Sequence, residues 1–239
     1  SALIDKLVRA HLHPPDGRML DWKAVLVAGQ PATEIVRACA DQLSDLVVIR
    51  SRRRALGRLR GSTAQSLTRS APCPILITGP GEREWAGLTT NEIDLRRVLV
   101  AYDFSPLSDQ ALSIGLSLAQ EFQAGIDLMH VLPGGMLRIA GREIDTYDAD
   151  IQQLATRLSN ALPSEAALWC EVKEVLREGD PAKEILDHAS KNSIDLICIG
   201  ASAQEPLMNR VLGSTADAVV RNASCPVLVA RPTAGSDKS

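Results

Sequence analysis

Trp22-Lys23-Ala24-Val25-Leu26-Val27-Ala28-Gly29-Gln30-Pro31-Ala32 returns near the other end of the chain as Val172-Lys173-Glu174-Val175-Leu176-Arg177-Glu178-Gly179-Asp180-Pro181-Ala182. The echo continues outward. Asp45-Leu46-Val47-Val48-Ile49 matches Asp195-Leu196-Ile197-Cys198-Ile199, Gly61-Ser62-Thr63-Ala64 matches Gly213-Ser214-Thr215-Ala216, and Cys73-Pro74-Ile75-Leu76-Ile77 matches Cys225-Pro226-Val227-Leu228-Val229. The offset is 150 residues through the Asp and 152 from the Gly-Ser-Thr onward, so two residues were gained or lost between them. Self-similarity on this scale means two copies of one domain rather than a solenoid of small repeats.

Each copy reads as parallel α/β. Val98 to Ala101, Ile126 to Val131, Leu196 to Ile199 and Val227 to Ala230 are apolar runs with little polar alternation, the pattern of strands covered on both faces. Helical patterns over Ser108 to Phe122, Ile151 to Leu162, Ala182 to Lys191 and Ser214 to Asn222 separate them, as βαβ crossovers require. Gln30-Pro31 and Asp180-Pro181 place Pro in a first helical turn. Ser62 and Ser214 are expected to act as N-caps.

The expected organisation is a partial first domain over 1–78, a linker over 79–95, a complete second domain over 96–232 and a tail over 233–239. At the 150 offset, the counterparts of residues 96–150 are missing from the first copy. Those would supply its first strand, first helix and second strand. The natural protein is therefore expected to continue upstream, or another chain to complete this half, because a missing central strand strands backbone donors and acceptors.

Composition bounds the function. The chain has 239 residues, 45% of them hydrophobic, and a net charge of −3, which gives no general reason to expect nucleic-acid binding. No run approaches the ~20 apolar residues of a membrane span. The five cysteines contain no C-x-x-C pair, consistent with buried reduced thiols in a cytoplasmic protein. His11 and His13 are two apart, a spacing that points rings to opposite sides of a helix, and no metal site is expected. His130 is expected to be satisfied within the core. No catalytic triad, paired carboxylates or H-E-x-x-H motif is legible, and no catalytic residue is assigned.

Val98-Leu99-Val100-Ala101-Tyr102-Asp103-Phe104-Ser105-Pro106 resembles the first strand and loop of the universal stress protein family, and Asp127-Leu128-Met129-His130-Val131 resembles its second strand. Arg221 to Val229 is similar to the family's last strand, and Ser70 to Ile77 repeats it. The resemblance implies two copies of a doubly wound five-stranded parallel sheet in the order 3-2-1-4-5, of the adenine nucleotide alpha hydrolase-like type. It also implies tandem or homodimeric self-association and stress roles in the cytoplasm. The partner implied is the chain itself, through its last strands, beside a protein partner that the sequence does not identify.

The family's ATP-binding subgroup carries a Gly, two residues, a Gly, nine residues, then Gly-Ser/Thr. Such glycines let the backbone approach phosphates, and the final Gly-Ser opens a helix whose N–H groups attract an anion. Here Gly200, Gly213, Ser214 and Thr215 stand at the matching positions, but Ala203 replaces the middle glycine and Pro206 another. Ala in a left-handed conformation costs about 1–2 kcal/mol. A lost donor costs about 1 more. Together they weaken affinity roughly 30-fold.

By the family pattern, Asp103 faces the sugar end of the ligand and Val131 lines the adenine pocket. Without a ligand, Asp103 caps the following helix and Val131 is an ordinary strand-end residue. In the first copy Arg50 stands in place of Gly200, and arginines fill the loop to Arg60. That loop is read either as a solvated charged loop, the favoured reading, or as a binder of phosphate or an acidic partner. The functional expectation is a non-enzymatic stress-response binding or signalling module, with no cofactor beyond weak ATP or AMP. The alternative is an ATP/AMP-binding protein with slow ATP turnover in the second domain. An electron-transfer flavoprotein is disfavoured, since nothing marks a flavin site.

Overall fold

The apolar runs do form strands. The computed structural model describes residues 22–50, 63–79, 93–133, 144–201 and 212–231. Their elements are α1 (Pro31–Asp41), β1 (Val47–Arg50), α2 (Thr63–Ser70), β2 (Ile75–Thr78), β3 (Arg97–Ala101), α3 (Pro106–Phe122), β4 (Gly125–Pro133), α4 (Ile144–Asn160), α5 (Ala166–Trp169), β5 (Val172–Gly179), α6 (Pro181–Lys191), β6 (Leu196–Gly200), α7 (Ser214–Asn222) and β7 (Val227–Ala230).

The strands join in one seven-stranded sheet, ordered β1-β2-β7-β6-β3-β4-β5. Among the described residues, two separate sheets do not form. Residues 97–230 contribute β5-β4-β3-β6-β7, all parallel, and residues 47–78 contribute β1 and β2. The halves meet where β2 runs antiparallel to β7, Leu76 opposite Leu228 and flanked by Ile75↔Val229 and Ile77↔Val227. Leu228 is the 152-offset counterpart of Leu76, so a local two-fold passes between them.

Side-chain alternation divides the core into two layers. Leu99, Met129, Ile197 and Val227 face Ile185 and Ala189 of α6 and Val219 of α7, while Cys39 of α1 and Leu67 of α2 extend that layer. Val98, Val100, Ile126, Leu128 and Cys198 face Ala111, Leu112 and Leu116 of α3 and Leu158 of α4.

Helix starts follow local chemistry. Asp180 caps α6 by accepting from Lys183 N at 2.8 Å, with Pro181 in the first turn. Gln30 precedes α1, also ahead of a Pro, without a side-chain cap. Ser214 is not the cap of α7; Gly213 takes that position with no side-chain bond, and Ser214 is the first helical residue. A glycine N-cap costs only a few tenths of a kcal/mol relative to Ser or Asp, so a polar cap is not required. Ser62 and His11-Leu12-His13 lie outside the described residues. Gly29 and Gly179, one offset apart, share an unusual backbone, φ +152° and +150°, each against the side chain of a Glu five residues on. Both segments thus enter the following helix through the same glycine-dependent turn.

Residues 22–28 sit where the repeat would place a strand equivalent to β5, yet they form none. In the second half β5 exists because β4 pairs with it over its whole length. No described strand takes the place of β4 in the first half.

Candidate functional site at the carboxyl edge

Strand order reverses around β3, which has β4 on one side and β6 on the other. In open α/β sheets, ligand crevices form outside the carboxyl ends of strands at such a switch point. The residues singled out in the sequence gather at this edge. Asp103 follows β3, Val131 lies in the last third of β4, Gly200 ends β6, and Gly213-Ser214-Thr215 open α7.

Asp103 is exposed, and its carboxylate accepts from Ser105 N at 3.1 Å, closing the turn into α3. Ser105 is the N-cap, accepting from Ser108 N at 3.2 Å, and Pro106 begins the helix. Val131 is half-buried against the α6–α7 layer. Gly200 is required by packing: a Cβ there would stand 2.8 Å from the Leu107 carbonyl carbon and 2.9 Å from Ser108 N. The first turn of α3 thus occupies the space above the end of β6. Ser214 is exposed and Thr215 half-buried. Ala203, Pro206 and most of the arginine loop lie outside the described residues. Arg50, at the end of β1, is exposed.

The same edge holds an aromatic cluster that the motif did not flag. Phe104 has φ +63°, a left-handed conformation that costs an L side chain about 1–2 kcal/mol. Its ring recovers contacts: edge-on to Tyr102 with centroids 5.1 Å apart, tilted on His130 at 4.7 Å, and beneath the Arg157 guanidinium at 4.2 Å. Tyr102 donates its hydroxyl to Asp109; burial, followed by that bond, pushes its pKa up to about 12. His130 Nδ1 donates to the Tyr102 carbonyl at 2.7 Å, so the ring is fixed from its Nδ1 side.

At the opposite end of the strands lies a closed polar network. Asp127, fully buried in β4, accepts from His188 Nε2 at 2.6 Å and from Arg97 Nε at 2.8 Å. Asn192 donates to the His188 carbonyl at 2.9 Å, which orients its amide nitrogen 3.3 Å from His188 Nδ1. His188 therefore accepts at Nδ1 and donates from Nε2. The Asp127 hydrogen bond raises the Arg97 pKa further. The carboxylate has both oxygens occupied and no exposure, so this network is structural.

Among the described residues no group of three His, Cys, Asp or Glu side chains could hold a metal ion, and no helix is long and apolar enough to cross a membrane.

The family model described as the universal stress protein family matches residues 8–79 and 94–231. The chain belongs to this family. It is 30% identical over 145 residues to the universal stress protein YxiE of Bacillus subtilis, an alignment covering 56% of this chain and 98% of that protein. A universal stress protein of Mycobacterium bovis is 28% identical over 221 residues, 90% of this chain and 70% of its own length. Among solved structures, a functionally unknown protein from Pseudomonas aeruginosa PAO1 is similar with a TM-score of 0.67 at 19% identity, covering 97% of this chain and 77% of that one. A universal stress protein from Archaeoglobus fulgidus gives 0.59 at 24%, over 85% and 68% of the two chains. At these identities the structural likeness is one of fold.

Proposed function

We propose that this chain is a tandem universal stress protein, acting in the cytoplasm as a stress-response binding and signalling module without chemistry of its own. In this reading, residues 96–232 are a second copy of the domain that 1–78 hold in part, and adenine-nucleotide binding is weak or lost. The tandem reading is supported by the seam, where counterparts face one another: Leu76 opposite Leu228, and Gln65 donating to its counterpart Asp217 at 3.3 Å. Self-association is then internal, a pseudo-dimer within one chain, and leaves other surfaces for an as yet unidentified protein.

One observation carries the nucleotide-independent reading: the carboxyl-edge residues are engaged by the fold itself. Gly200 is packed under the backbone of Leu107 and Ser108, and the Asp103 carboxylate closes the turn at Ser105. Neither residue needs a ligand to account for it. Ala203 and Pro206 add the sequence-level cost already given.

Calorimetric titration with ATP and AMP tests the reading. Dissociation constants in the high-micromolar range or weaker are expected, and binding tighter than about 10 µM, ~7 kcal/mol, would overturn it. The double change Ala203→Gly, Pro206→Gly should tighten binding roughly tenfold or more if backbone restriction is the cause.

The second reading, an ATP- or AMP-binding domain with slow ATP turnover, is favoured by α7. Its N-cap Gly213 brings no side chain to the first-turn N–H groups, leaving them to a ligand such as phosphate. Phosphate release measured alongside the titration separates the two.

A further inference from the structure

We propose that Cys39 and Cys73 form a modification site, a thiol pair that hydrogen peroxide oxidises reversibly to a disulfide, tying the last turn of α1 to the entry of β2. The pair lies away from the carboxyl edge, and its chemistry is the same whether or not a nucleotide binds there.

Of the five cysteines, these two share one corner of the core. Cys39 lies in α1, two residues before its end, and Cys73 lies between α2 and β2. Both are buried in the layer that holds Leu67, Ala71 and Ile75. Backbone bonds bring them together. Ser44 N donates to the Cys39 carbonyl at 3.0 Å, turning the chain back at the end of α1. Val47 N then donates to the carbonyl of Pro74, the residue after Cys73, at 2.9 Å. The two thiols are hydrogen-bonded to each other. Sulfurs already in contact need a side-chain adjustment, not a change of fold, to reach the geometry of a disulfide.

The other half of the sheet repeats this frame without the pair. Ile194 N donates to the Ala189 carbonyl at 3.1 Å and Ile197 N to the Pro226 carbonyl at 3.0 Å. Ala189 therefore holds the place of Cys39, and Cys225 that of Cys73. A methyl group closes this corner as well as a thiol does, since Ala189 is 3% exposed and Cys39 7%. Packing alone does not call for sulfur at residue 39. The remaining thiols are arranged otherwise. Cys198 belongs to the α3 layer and Cys225 to the opposite one, while Cys170 donates to the Ala166 carbonyl at 3.5 Å.

The two sulfurs have different roles. Burial first, then the neighbouring Cys39 sulfur, pushes the Cys73 pKa up to about 11, so Cys73 stays protonated and is a poor first attacker. Cys39, the less buried of the two, meets the oxidant. Its sulfur attacks one peroxide oxygen, the O–O bond breaks, and the leaving hydroxide takes the Cys39 proton as water. Cys39 is then a sulfenic acid. The Cys73 sulfur attacks it, the S–S bond forms, the S–O bond breaks, and the departing hydroxide takes the Cys73 proton as a second water. Two electrons pass from the sulfurs to the peroxide. The link closes residues 40–72, a span that includes the arginines from Arg50 to Arg60, and it removes the freedom of that loop from the unfolded chain.

The test treats the folded chain with hydrogen peroxide, alkylates the remaining thiols after an acid quench, and maps the products by mass spectrometry. The expected product joins the Cys39 and Cys73 peptides with loss of two hydrogens, at a rate independent of protein concentration, and dithiothreitol reverses it. The melting temperature should rise by about 5–10 °C on oxidation and return on reduction. Cys39→Ala, which copies Ala189, should keep the far-ultraviolet circular dichroism of the reduced chain and lose the rise, whereas Cys170→Ser should retain it. Both thiols still free, Cys39 oxidised singly to sulfinic acid, or a link that forms only in urea would each overturn the proposal. So would a rise that persists in Cys39→Ala. Should that variant not fold, the mapped product of the unaltered chain decides by itself.

Discussion

Asp127 is a carboxylate in the middle of an apolar layer, and what makes it tolerable is the pair of donors aimed at it. Removing one donor leaves a buried charge half-compensated. His188→Ala is therefore expected to destabilise the fold by about 3 kcal/mol in urea denaturation. The double change Asp127→Leu, His188→Leu should cost clearly less; equal cost would mean that the under-compensated carboxylate is not the source. This network was legible in part. Asp127 stands within the apolar run Ile126 to Val131, and His188 shares a helical face with Ile185 and Ala189, so both positions carry the pattern of burial. That they meet depends on how α6 crosses β4, which no local pattern encodes. Three other groups set an alkaline limit. Burial pushes Cys198 to about 12 and Cys73 to about 11, from 9.0, and Tyr102 rises to about 12 from 10.0. Their folded pKa values lie above the unfolded ones, so their contribution is intact below about pH 9 and is lost as pH rises through 11–12. The melting temperature should fall across that window. A flat profile from pH 9 to 12 would contradict the burial of these groups.

The strands of the second half could be read from their apolar runs, because a strand covered on both faces leaves a continuous signal. The edge strand β5 could not, since one edge and part of its surface face water and charges dilute the pattern; it is visible mainly through the repeat. Helix α4 begins at Ile144, ahead of the expected Ile151, because its first turns lack the apolar stripe that marks a packed helix. The short α5 gave no signal. At the carboxyl edge, the glycine pattern carries no sign of the packing that Gly200 serves. Gly200 reads as a phosphate-loop residue, whereas the structure gives it a packing duty between β6 and α3. Gly200→Ala should accordingly cost about 1–3 kcal/mol of stability with no nucleotide present, measured by thermal unfolding. A neutral effect would return the residue to a purely ligand-facing role. Phe104, Tyr102 and Arg157 were missed for a related reason: a left-handed Phe held by rings and a guanidinium from three different elements has no sequence spacing to betray it.

For the molecule as a whole, the seam between β2 and β7 decides whether the chain behaves as one body. Three kinds of contact cross it. The first is the antiparallel ladder centred on Leu76 and Leu228. The second is the side-chain bond from Gln65 to Asp217. The third is Arg231, buried, whose guanidinium donates to the Thr68 and Arg69 carbonyls at the end of α2. Those carbonyls carry the negative end of the helix dipole, so a buried cation is well placed there. Arg231→Ala should cost about 1.5–3 kcal/mol, as expected for hydrogen bonds from a charged group. These contacts do not depend on the covalent connection through residues 79–95. A protease site inserted between Gly81 and Glu92 and then cut should therefore leave the two fragments together on native gel filtration, with the sheet ladder continuing to hold them. Leu228→Asp should release them, because it places a charge at the centre of the ladder on a fully packed face. Separation of the unaltered fragments on cutting would mean that the linker, not the shared sheet, joins the halves.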